Sequence, residues 1–414
     1  MRKIRNLLTP YKGLRKEVYI IALARMINAM GAFVWPMMSL LLTKKLGLTA
    51  EKAGMVVSAM IAIGIPAPII GGKLADSIGR KKVIITFDLL GILTYITCGF
   101  IKPSFVLIYL ITFAGTCMSI AGPAHESLMQ DITTPENRKG AYGLTYMAFN
   151  LGFAIGPIMG GFLFKKYLTW LFVGDALTTL VGLLLIFFFV KDNYKPNHIE
   201  ELDESREEEK GEEGTVFSVL IKRPLLIKVS LVAILYGFVY TQWSFLIPIH
   251  SDILFGDNGP QYYGYIASLN GIIVILATPI ITKFFEKANN ILSIGLGGAL
   301  YALSFAFMAY ATKLWMFFAI ITVFTIGEII ITVSSGTFYA NNTPQTHRGR
   351  VSSILGLISG SGYLVGSSIS GSLKVNLGIT ITWLIIASVA LVGGLLMALL
   401  SLQSRKNSGS EVNM

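Results

Sequence analysis

Charge is scarce in this chain. Lys, Arg, Asp and Glu make up only 14% of the 414 residues, whereas 53% are hydrophobic and the mean hydropathy is +0.66. Soluble globular proteins carry about 25% charged residues. A chain of this length with so few charges cannot cover a water-exposed surface. The composition therefore excludes a soluble protein and predicts that the bilayer is the solvent for most of the chain.

Cysteine is nearly absent, and so are the common catalytic motifs. Cys98 and Cys117 lie in apolar runs without CxxC or metal-ligand spacing, so we expect them to pack and not to form a disulfide framework. No Gly-x-x-x-x-Gly-Lys-Ser/Thr loop is present, which argues against ATP-driven transport by this chain. The pair His125-Glu126 lacks the second histidine of an HExxH zinc site. We therefore expect no enzyme, no bound cofactor and no metal site.

Long apolar runs dominate the sequence. A membrane span needs about 20 mostly apolar residues, and cutting the chain at charges and at Gly, Pro or Asn clusters gives twelve such runs. This pattern predicts an all-α polytopic membrane protein. The runs, named spans 1 to 12, cover 18–43, 51–72, 83–101, 105–130, 140–164, 170–190, 226–250, 262–283, 292–311, 315–341, 351–374 and 380–402.

The net charge of +11 resembles that of a nucleic-acid-binding protein, but its distribution indicates another cause. With the N-terminus inside, 24 Lys and Arg residues lie in predicted inner segments and 8 in outer ones. Cytoplasmic loops of membrane proteins carry such an excess. We predict a multi-pass protein of the cell membrane, the inner membrane of a bacterium, with both termini cytoplasmic and no nucleic-acid partner.

A polar, glutamate-rich stretch from Lys191 to Gly214 divides the spans six and six. It is too like-charged and too poor in apolar residues to bury a core. We predict an N-terminal six-helix bundle at 1–190, an acidic cytoplasmic linker at 191–225, and a C-terminal bundle with a short tail at 226–414. A regulatory or partner-binding role for the linker stays open.

The two halves also repeat. Pro135–Gly140 before span 5 matches Pro344–Gly349 before span 11 at an offset of 209, and three glycines of span 5 recur in span 11 at an offset of 210. Parallel six-helix repeats around a midplane site are a transporter architecture. We therefore predict two six-helix pseudo-repeats around a central cavity, and we expect a monomer whose partners are a small-molecule substrate, protons and the bilayer.

The most specific motif lies between spans 2 and 3, in a short predicted cytoplasmic loop running from Gly71 to Lys82. It resembles the signature loop of the major facilitator superfamily, whose pattern is Gly-x-Leu-Ala-Asp-basic-x-Gly-Arg-basic. Ser77 replaces the usual basic residue. The matching residues are Gly72, Leu74, Ala75, Asp76, Gly79, Arg80 and Lys81.

The resemblance implies a latch that holds the inner side closed. Glycines allow close helix contact, and Asp76 would face the positive N-terminus of span 11, a contact worth about 0.3–1 kcal/mol. Arg80 can pair with Asp131, which opens a second family-like stretch ending at Arg138. The alternative is that these charges only set topology. The gating hypothesis covers Gly72, Asp76, Gly79, Arg80, Asp131 and Arg138.

Span 5 carries a second motif, from Asn150 to Gly161. It resembles the Gly-Pro-x-x-Gly-Gly motif of the superfamily's proton-coupled exporters. Pro157 removes a backbone hydrogen bond and kinks the helix, while Gly156 and Gly161 permit tight contact between helices. Generic small-residue packing is the alternative. We assign Gly156, Pro157 and Gly161 to gating.

Glu328 lies near the middle of span 10. A charge at this depth costs about 2.5–3.5 kcal/mol on insertion scales and is usually functional, and burial favours the protonated carboxyl group. Thr325, Thr332 and Ser335 share its helical face. The Gly-Glu pair resembles that of lactococcal-type multidrug–proton antiporters, in which the glutamate takes part in coupling. A structural, hydrogen-bonded glutamate is the alternative.

Arg25 lies in span 1 on one face with Asn28 and Trp35, at about the depth of Glu126 in span 4. Arg25 and Glu126 can therefore form a buried pair. Alternatively, Arg25 binds an anionic substrate or extends to the inner headgroups. Glu126 is a second candidate for proton coupling, and we interpret His125 as a polar packing residue.

Span 7 places Tyr236, Tyr240 and Trp243 at helical spacing with Gln242 alongside. Aromatic side chains on a cavity face suit hydrophobic or cationic ligands, although such stripes also face lipid. The predicted substrate-binding residues are Arg25, Asn28, Trp35, Asn150, Tyr236, Tyr240, Gln242, Trp243 and Asn270.

Departures from the antiporter pattern leave two functions open. The arginine usual in span 4 of proton antiporters is absent, and Thr145 and Gln242 lie where related antiporters carry carboxylates. The main hypothesis is a secondary transporter that exports small amphipathic compounds in exchange for protons by alternating access. The alternative is a metabolite, anion or lipid-linked-substrate transporter of the same fold, acting as symporter, exchanger or flippase. A membrane enzyme or sensor would need a catalytic constellation or a folded soluble domain, and the sequence shows neither.

Overall fold

The computed structural model describes residues 13–133, 135–191, 220–285, 288–342 and 348–411, and every regular element in these ranges is a helix. Most of the predicted linker at 191–225 lies outside the described residues. The apolar runs of the sequence become helices because a helix satisfies its own backbone hydrogen bonds where lipid offers none. The prediction of an all-α membrane fold is confirmed.

The helices follow the predicted spans with several interruptions. Span 1 forms Lys16–Met30, Met38–Leu40 and the π-helical Leu41–Lys45; span 2 forms Ala50–Gly64 and Ala67–Ile78; span 3 is Arg80–Phe100; span 4 is Phe105–Asp131; span 5 forms Pro135–Phe153 and Gly156–Lys166; span 6 is Leu168–Phe189; span 7 forms Pro224–Thr241 and Leu246–Phe255; span 8 is Gly259–Phe285; span 9 is Asn290–Met308; span 10 is Leu314–Asn342; spans 11 and 12 share Arg348–Glu411.

Within the described residues, nine helical segments are long and apolar enough to cross a membrane. Two of them, Pro224–Phe285 and Ile354–Ser404, are double spans of 62 and 51 residues. Span 1 is not among the nine because its helix is interrupted. Dividing the two double segments and adding the broken span 1 gives the predicted twelve.

Two glycines make the reversals at the predicted inner and outer ends of these helices. Span 2 stays helical to Ile78 and span 3 begins at Arg80, so the predicted loop between them is reduced to Gly79, which has φ 100°. Gly378 has φ 81° and separates span 11 from span 12 inside one continuous run of helix. Residues with a Cβ rarely adopt this region, so the glycines set both reversals.

The described residues form two compact units. Unit 1 takes its residues from Met1–Leu48, Ala59–Ile199 and Pro248–Ile275, and unit 2 from Thr49–Ser58, Glu200–Ile247 and Leu276–Met414. Each unit thus contains a segment from the other half of the sequence. The predicted domain boundaries stay a prediction.

Aromatic stacking fills the core of unit 2. Phe305 stacks on Trp383 with 5.2 Å between ring centroids, and Phe324 stacks on Tyr301 at 4.7 Å. Phe305, Phe324 and Trp383 are fully buried. Such large rings hold the helices of spans 9, 10 and 12 together through dispersion and apolar burial.

A buried carboxylate holds the interruption of span 1 in unit 1. The first helix ends at Met30, and the backbone N–H groups of Phe33 and Val34 each donate to Asp175 Oδ2 at 3.1 Å. Lipid cannot accept these bonds, so Asp175 of span 6 replaces the missing helical carbonyls. Asp175 was not among the predicted site residues, although it is the single charged residue of predicted span 6 and a charge in an apolar span is usually functional.

Glycines bring span 5 against its neighbours in unit 1. A Cβ built on Gly161 would lie 2.5 Å from the carbonyl oxygen of Pro260 in span 8, and one on Gly156 would lie 2.6 Å from that of Ala29 in span 1. The helix restarts at Gly156 with Pro157 in its first turn, where the absent N–H of proline does no harm. The small residues of the motif therefore act in packing; their gating role stays a prediction.

We expect Asp175→Ala to lower the free energy of unfolding by about 1–3 kcal/mol, because two buried N–H groups lose their acceptor. Thermal unfolding of the detergent-purified protein measures this change, and Asp175→Asn, which keeps one acceptor, should fall between. Asp257→Ala removes a carboxylate that is 92% exposed and is the matched control. Equal midpoints for the Asp175→Ala and Asp257→Ala proteins would contradict the assignment.

A second pair of variants tests the glycine contact. Gly161→Ala should destabilise the protein by about 1–3 kcal/mol because its new methyl group overpacks against the backbone of span 8. A Cβ on the adjacent Gly160 would lie 3.5 Å from Phe33, an ordinary contact, so Gly160→Ala should be tolerated. Thermal unfolding of the detergent-purified protein measures the stability of both variants. If the two substitutions behave alike, close approach at Gly161 does not limit stability.

Candidate functional site

Unit 2 contains a cavity of about 430 Å³ around Glu328. The carboxylate accepts a hydrogen bond from Tyr240 Oη of span 7 at 2.8 Å. Thr332 and Ser335 lie one and two helical turns further along span 10 and line the same cavity. Thr325, expected on this face, is fully buried and donates to the carbonyl of Ile321.

Five tyrosines line the cavity around Glu328. Tyr236 and Tyr240 come from span 7, and the others from spans 9, 10 and 11. Several are held by neighbours: Tyr339 Oη is 2.9 Å from Ser230 Oγ, and the Tyr240 ring meets the edge of the Tyr363 ring at 6.0 Å. The cavity therefore offers flat aromatic surfaces and one carboxylate. Its tyrosines are Tyr236, Tyr240, Tyr301, Tyr339 and Tyr363.

Two predicted residues of span 7 do not line this cavity. The expectation of one continuous stripe assumed an unbroken helix, but the helix ends at Thr241. Gln242 is fully buried, and its Nε2 donates to the carbonyls of Phe238 and Gly366. Trp243 is buried and stacks on Phe324 at 5.6 Å. Both side chains thus stabilise the interruption of span 7.

Unit 1 has its own polar cavity, of about 420 Å³. Arg25 of span 1 and Glu126 of span 4 line it and form an ion pair, with 2.5 Å between Nη2 and Oε1. This is the pair that the depths of the two residues in their spans suggested. Asn28 lies one turn from Arg25, and its Nδ2 donates to Thr179 Oγ1 at 2.9 Å.

The same cavity contains a second polar pair, which was not predicted. His125 Nε2 lies 2.9 Å from Asp88 Oδ2, and both residues line the cavity. Asp88 is the single charged residue of predicted span 3, so its position in an apolar span is a signal that the sequence offers. The contact with Asp88 is compatible with the interpretation of His125 as a polar packing residue, which stays a prediction.

The other predicted contact residues lie elsewhere. Trp35 stands at the interruption of span 1 and lines a separate cavity of about 400 Å³ with Tyr95 and Thr112. Asn150 is buried and its Nδ2 donates to the Tyr146 carbonyl. Asn270 is buried and lines neither polar cavity. Their substrate contacts stay predictions.

The signature motif joins span 3 to spans 4 and 6. Arg80 Nε lies 3.1 Å from Asp131 Oδ2, the predicted pairing. Lys81 Nζ donates to the carbonyls of Phe187 and Val190 at 2.6 and 2.8 Å, which satisfies the end of span 6. A Cβ atom built on Gly72 would have no neighbouring heavy atom within 4 Å.

The side chains of Asp76 and Arg138 lie outside the described part of the chain, so their predicted contacts stay predictions. Within the described ranges, no group of three or more His, Cys, Asp and Glu residues is arranged to hold a metal ion. The chemistry that this geometry offers is proton binding and recognition of small molecules, through Glu328 in unit 2 and through the ion pairs in unit 1.

Comparisons with known proteins agree with this architecture. The Na(+), Li(+), K(+)/H(+) antiporter of Planococcus maritimus is 23% identical over 388 residues, 87% of this chain and 90% of that protein. Multidrug resistance protein 2 of Bacillus subtilis (strain 168) is 22% identical over 408 residues, 96% of this chain and 98% of that protein.

The fold has solved counterparts. A crystal structure of a POT family transporter in complex with 5-aminolevulinic acid has a TM-score of 0.76 at 14% identity, covering 95% of this chain and 97% of that one. At this identity the likeness concerns the fold alone. The sequence profile of the Major Facilitator Superfamily matches residues 21–359 and 260–413. Since these ranges take in nearly the whole sequence, the chain is a multi-pass membrane transporter that belongs to the Major Facilitator Superfamily.

Proposed function

We propose that the protein is a proton-coupled secondary transporter that exports small amphipathic compounds by alternating access. The observation that carries the proposal is Glu328, a carboxyl group in a membrane span, bonded to Tyr240 and surrounded by tyrosines. An ionisable residue at this depth is a functional-site candidate, and the aromatic walls suit an organic ligand.

Exchange is possible because the Glu328 carboxylate can bind either a proton or a positively charged substrate. When Glu328 carries a proton it is neutral, which suits an apolar wall. When the proton leaves, the carboxylate attracts a positively charged group, and the tyrosine faces add cation–π attraction. A proton and an amphipathic cation then compete for Glu328, and this competition couples their opposite movements.

The relatives support this proposal at the level of class. One is named a cation/H(+) antiporter and another a multidrug resistance protein. Identities of 22–23% do not carry residue roles across, so the assignment of Glu328 depends on the geometry of its cavity.

An anion or metabolite transporter is the second candidate, and Arg25 is the observation that favours it. Its guanidinium lines the cavity of unit 1 with 36% of the side chain exposed. In that case Glu328 is structural and Arg25 binds the anion. The pairing with Glu126 weakens this candidate, because an incoming anion would have to replace a carboxylate already at 2.5 Å.

The Arg80–Asp131 pair is the proposed gating element. It ties the turn at Gly79 to the inner end of span 4. A charge pair at a helix end can stabilise one conformation over another, and two conformations of similar free energy are what alternating access requires. We assign Arg80 and Asp131 to stabilising the conformation in which they form this ion pair.

Glu328→Gln should abolish transport driven by a pH gradient, because the amide cannot carry the exchanged proton. Uptake of ethidium, a lipophilic cation, into inside-out vesicles with an imposed pH gradient measures it, with protein-free vesicles as background. Glu328→Asp should restore part of the uptake. Glu51→Gln, at the predicted outer end of span 2, is the matched control. Uptake by the Glu328→Gln protein at the wild-type level would refute the coupling role.

Charge reversal tests the gating pair. Arg80→Asp and Asp131→Arg should each reduce transport about fivefold, since an ion pair worth about 1 kcal/mol shifts a conformational equilibrium by that factor. The double variant, which restores opposite charges, should recover much of the activity. Vesicle uptake is the readout, with protein amounts matched by blotting. Additive losses in the double variant would show that the two charges act separately.

A further inference from the structure

The polar cavity of unit 1 contains a second titratable site that the proposed function does not use. Its charged lining residues come from three spans: Arg25 from span 1, Asp88 from span 3, and His125 with Glu126 from span 4. The residues that spans 5 and 6 contribute to the lining, such as Phe149 and Thr179, are uncharged. The four titratable groups therefore face one another across the cavity.

The four groups form two pairs, one of opposite charges and one of a histidine with a carboxylate. Arg25 Nη2 lies 2.5 Å from Glu126 Oε1, and His125 Nε2 lies 2.9 Å from Asp88 Oδ2. The His125 and Asp88 side chains are 27% and 10% exposed, so the second pair is partly sheltered and still reaches the cavity. Each pair joins two different spans, and span 4 contributes one residue to each pair, His125 to one and Glu126 to the other.

A count of charges shows why the second pair needs a proton. Arg25 and Glu126 cancel, whereas Asp88 is balanced only when His125 is an imidazolium or when Asp88 itself is protonated. An uncompensated charge within a membrane span is unfavourable. The cluster is neutral when the Asp88–His125 pair binds one proton.

The second repeat has no charges at the positions that correspond to these four residues. At the offsets of 209 and 210 that relate the halves, Asp88 corresponds to Gly297 or Gly298, and His125 to Ser334 or Ser335. Arg25 and Glu126 likewise correspond to uncharged residues. The second six-helix repeat thus builds the same positions without any charge, while it carries Glu328 elsewhere.

We infer that the Asp88–His125 pair is a second proton-binding site, separate from Glu328, whose proton is exchanged in each transport cycle. The proton is taken from the outer solution, held between Asp88 Oδ2 and His125 Nε2, and released to the cytoplasm, with no other group changed. This inference rests on the proposed function. It adds that a monovalent cation leaves in exchange for two protons, so that transport moves net charge and responds to membrane potential.

A pH jump without substrate tests the site with the proton as the only ligand. The full-length protein is reconstituted into proteoliposomes on a solid-supported membrane, and the charge displaced by a step in pH is recorded. A proton that moves into a site within the membrane displaces charge. Glu328→Gln and the Asp88→Asn/His125→Gln double variant, which removes both groups of the pair, should each leave about half of the wild-type displaced charge, and the variant that combines all three substitutions should leave none. His198→Gln, in the predicted linker, should change nothing.

The outcomes separate this inference from the proposed function. If Glu328→Gln alone removes all displaced charge, or Asp88→Asn/His125→Gln removes none, the second site is refuted and Glu328 stands. If Glu328→Gln removes none while Asp88→Asn/His125→Gln removes all, the coupling role of Glu328 fails. Gel filtration checks that each variant is folded.

Discussion

A bilayer offers no hydrogen bonds to a buried polar group, and this constraint explains the polar contacts where the described helices are interrupted or end. The backbone interruption of span 1 is satisfied by Asp175, and that of span 7 has the Gln242 amide bonded to neighbouring carbonyls. The end of span 6 is satisfied by Lys81. Each polar side chain in these places replaces an interaction that water would provide in a soluble protein.

The two units meet the same constraint with different chemistry. Unit 1 lines its cavity with the Arg25–Glu126 ion pair and the His125–Asp88 pair. Unit 2 surrounds one carboxylate, Glu328, with tyrosines and keeps its core aromatic. The described part of the chain thus contains two polar cavities of distinct composition.

Sequence reasoning predicted the elements that depend on local composition. The twelve spans follow from apolar length, the Arg25–Glu126 pair follows from the similar depths of the two residues in their spans, and the Arg80–Asp131 pair follows from the resemblance of the signature loop. The interruptions of spans 1 and 7 could not be predicted, because a broken apolar helix has the same composition as a continuous one. Gln242 and Trp243 were therefore placed on the cavity face, although the helix ends at Thr241 and both side chains turn into the core.

Asp88 and Asp175 show a different limit on what can be predicted from the sequence. Each is a single charge in an apolar span, which the sequence displays openly. Their partners, however, are a histidine one span away and two backbone N–H groups five spans away. Long-range pairing of this kind depends on how the spans pack, and one sequence does not contain that information.

The Asp175 contact also determines how mutation can act on span 1. Its donors are main-chain groups of Phe33 and Val34, which every residue except proline possesses. Packing alone restricts the side chains at these two positions. One carboxylate in span 6 therefore stabilises the backbone conformation at the interruption of span 1. The residue types at the interruption itself do not indicate that conformation, because only their main-chain groups take part in the contact.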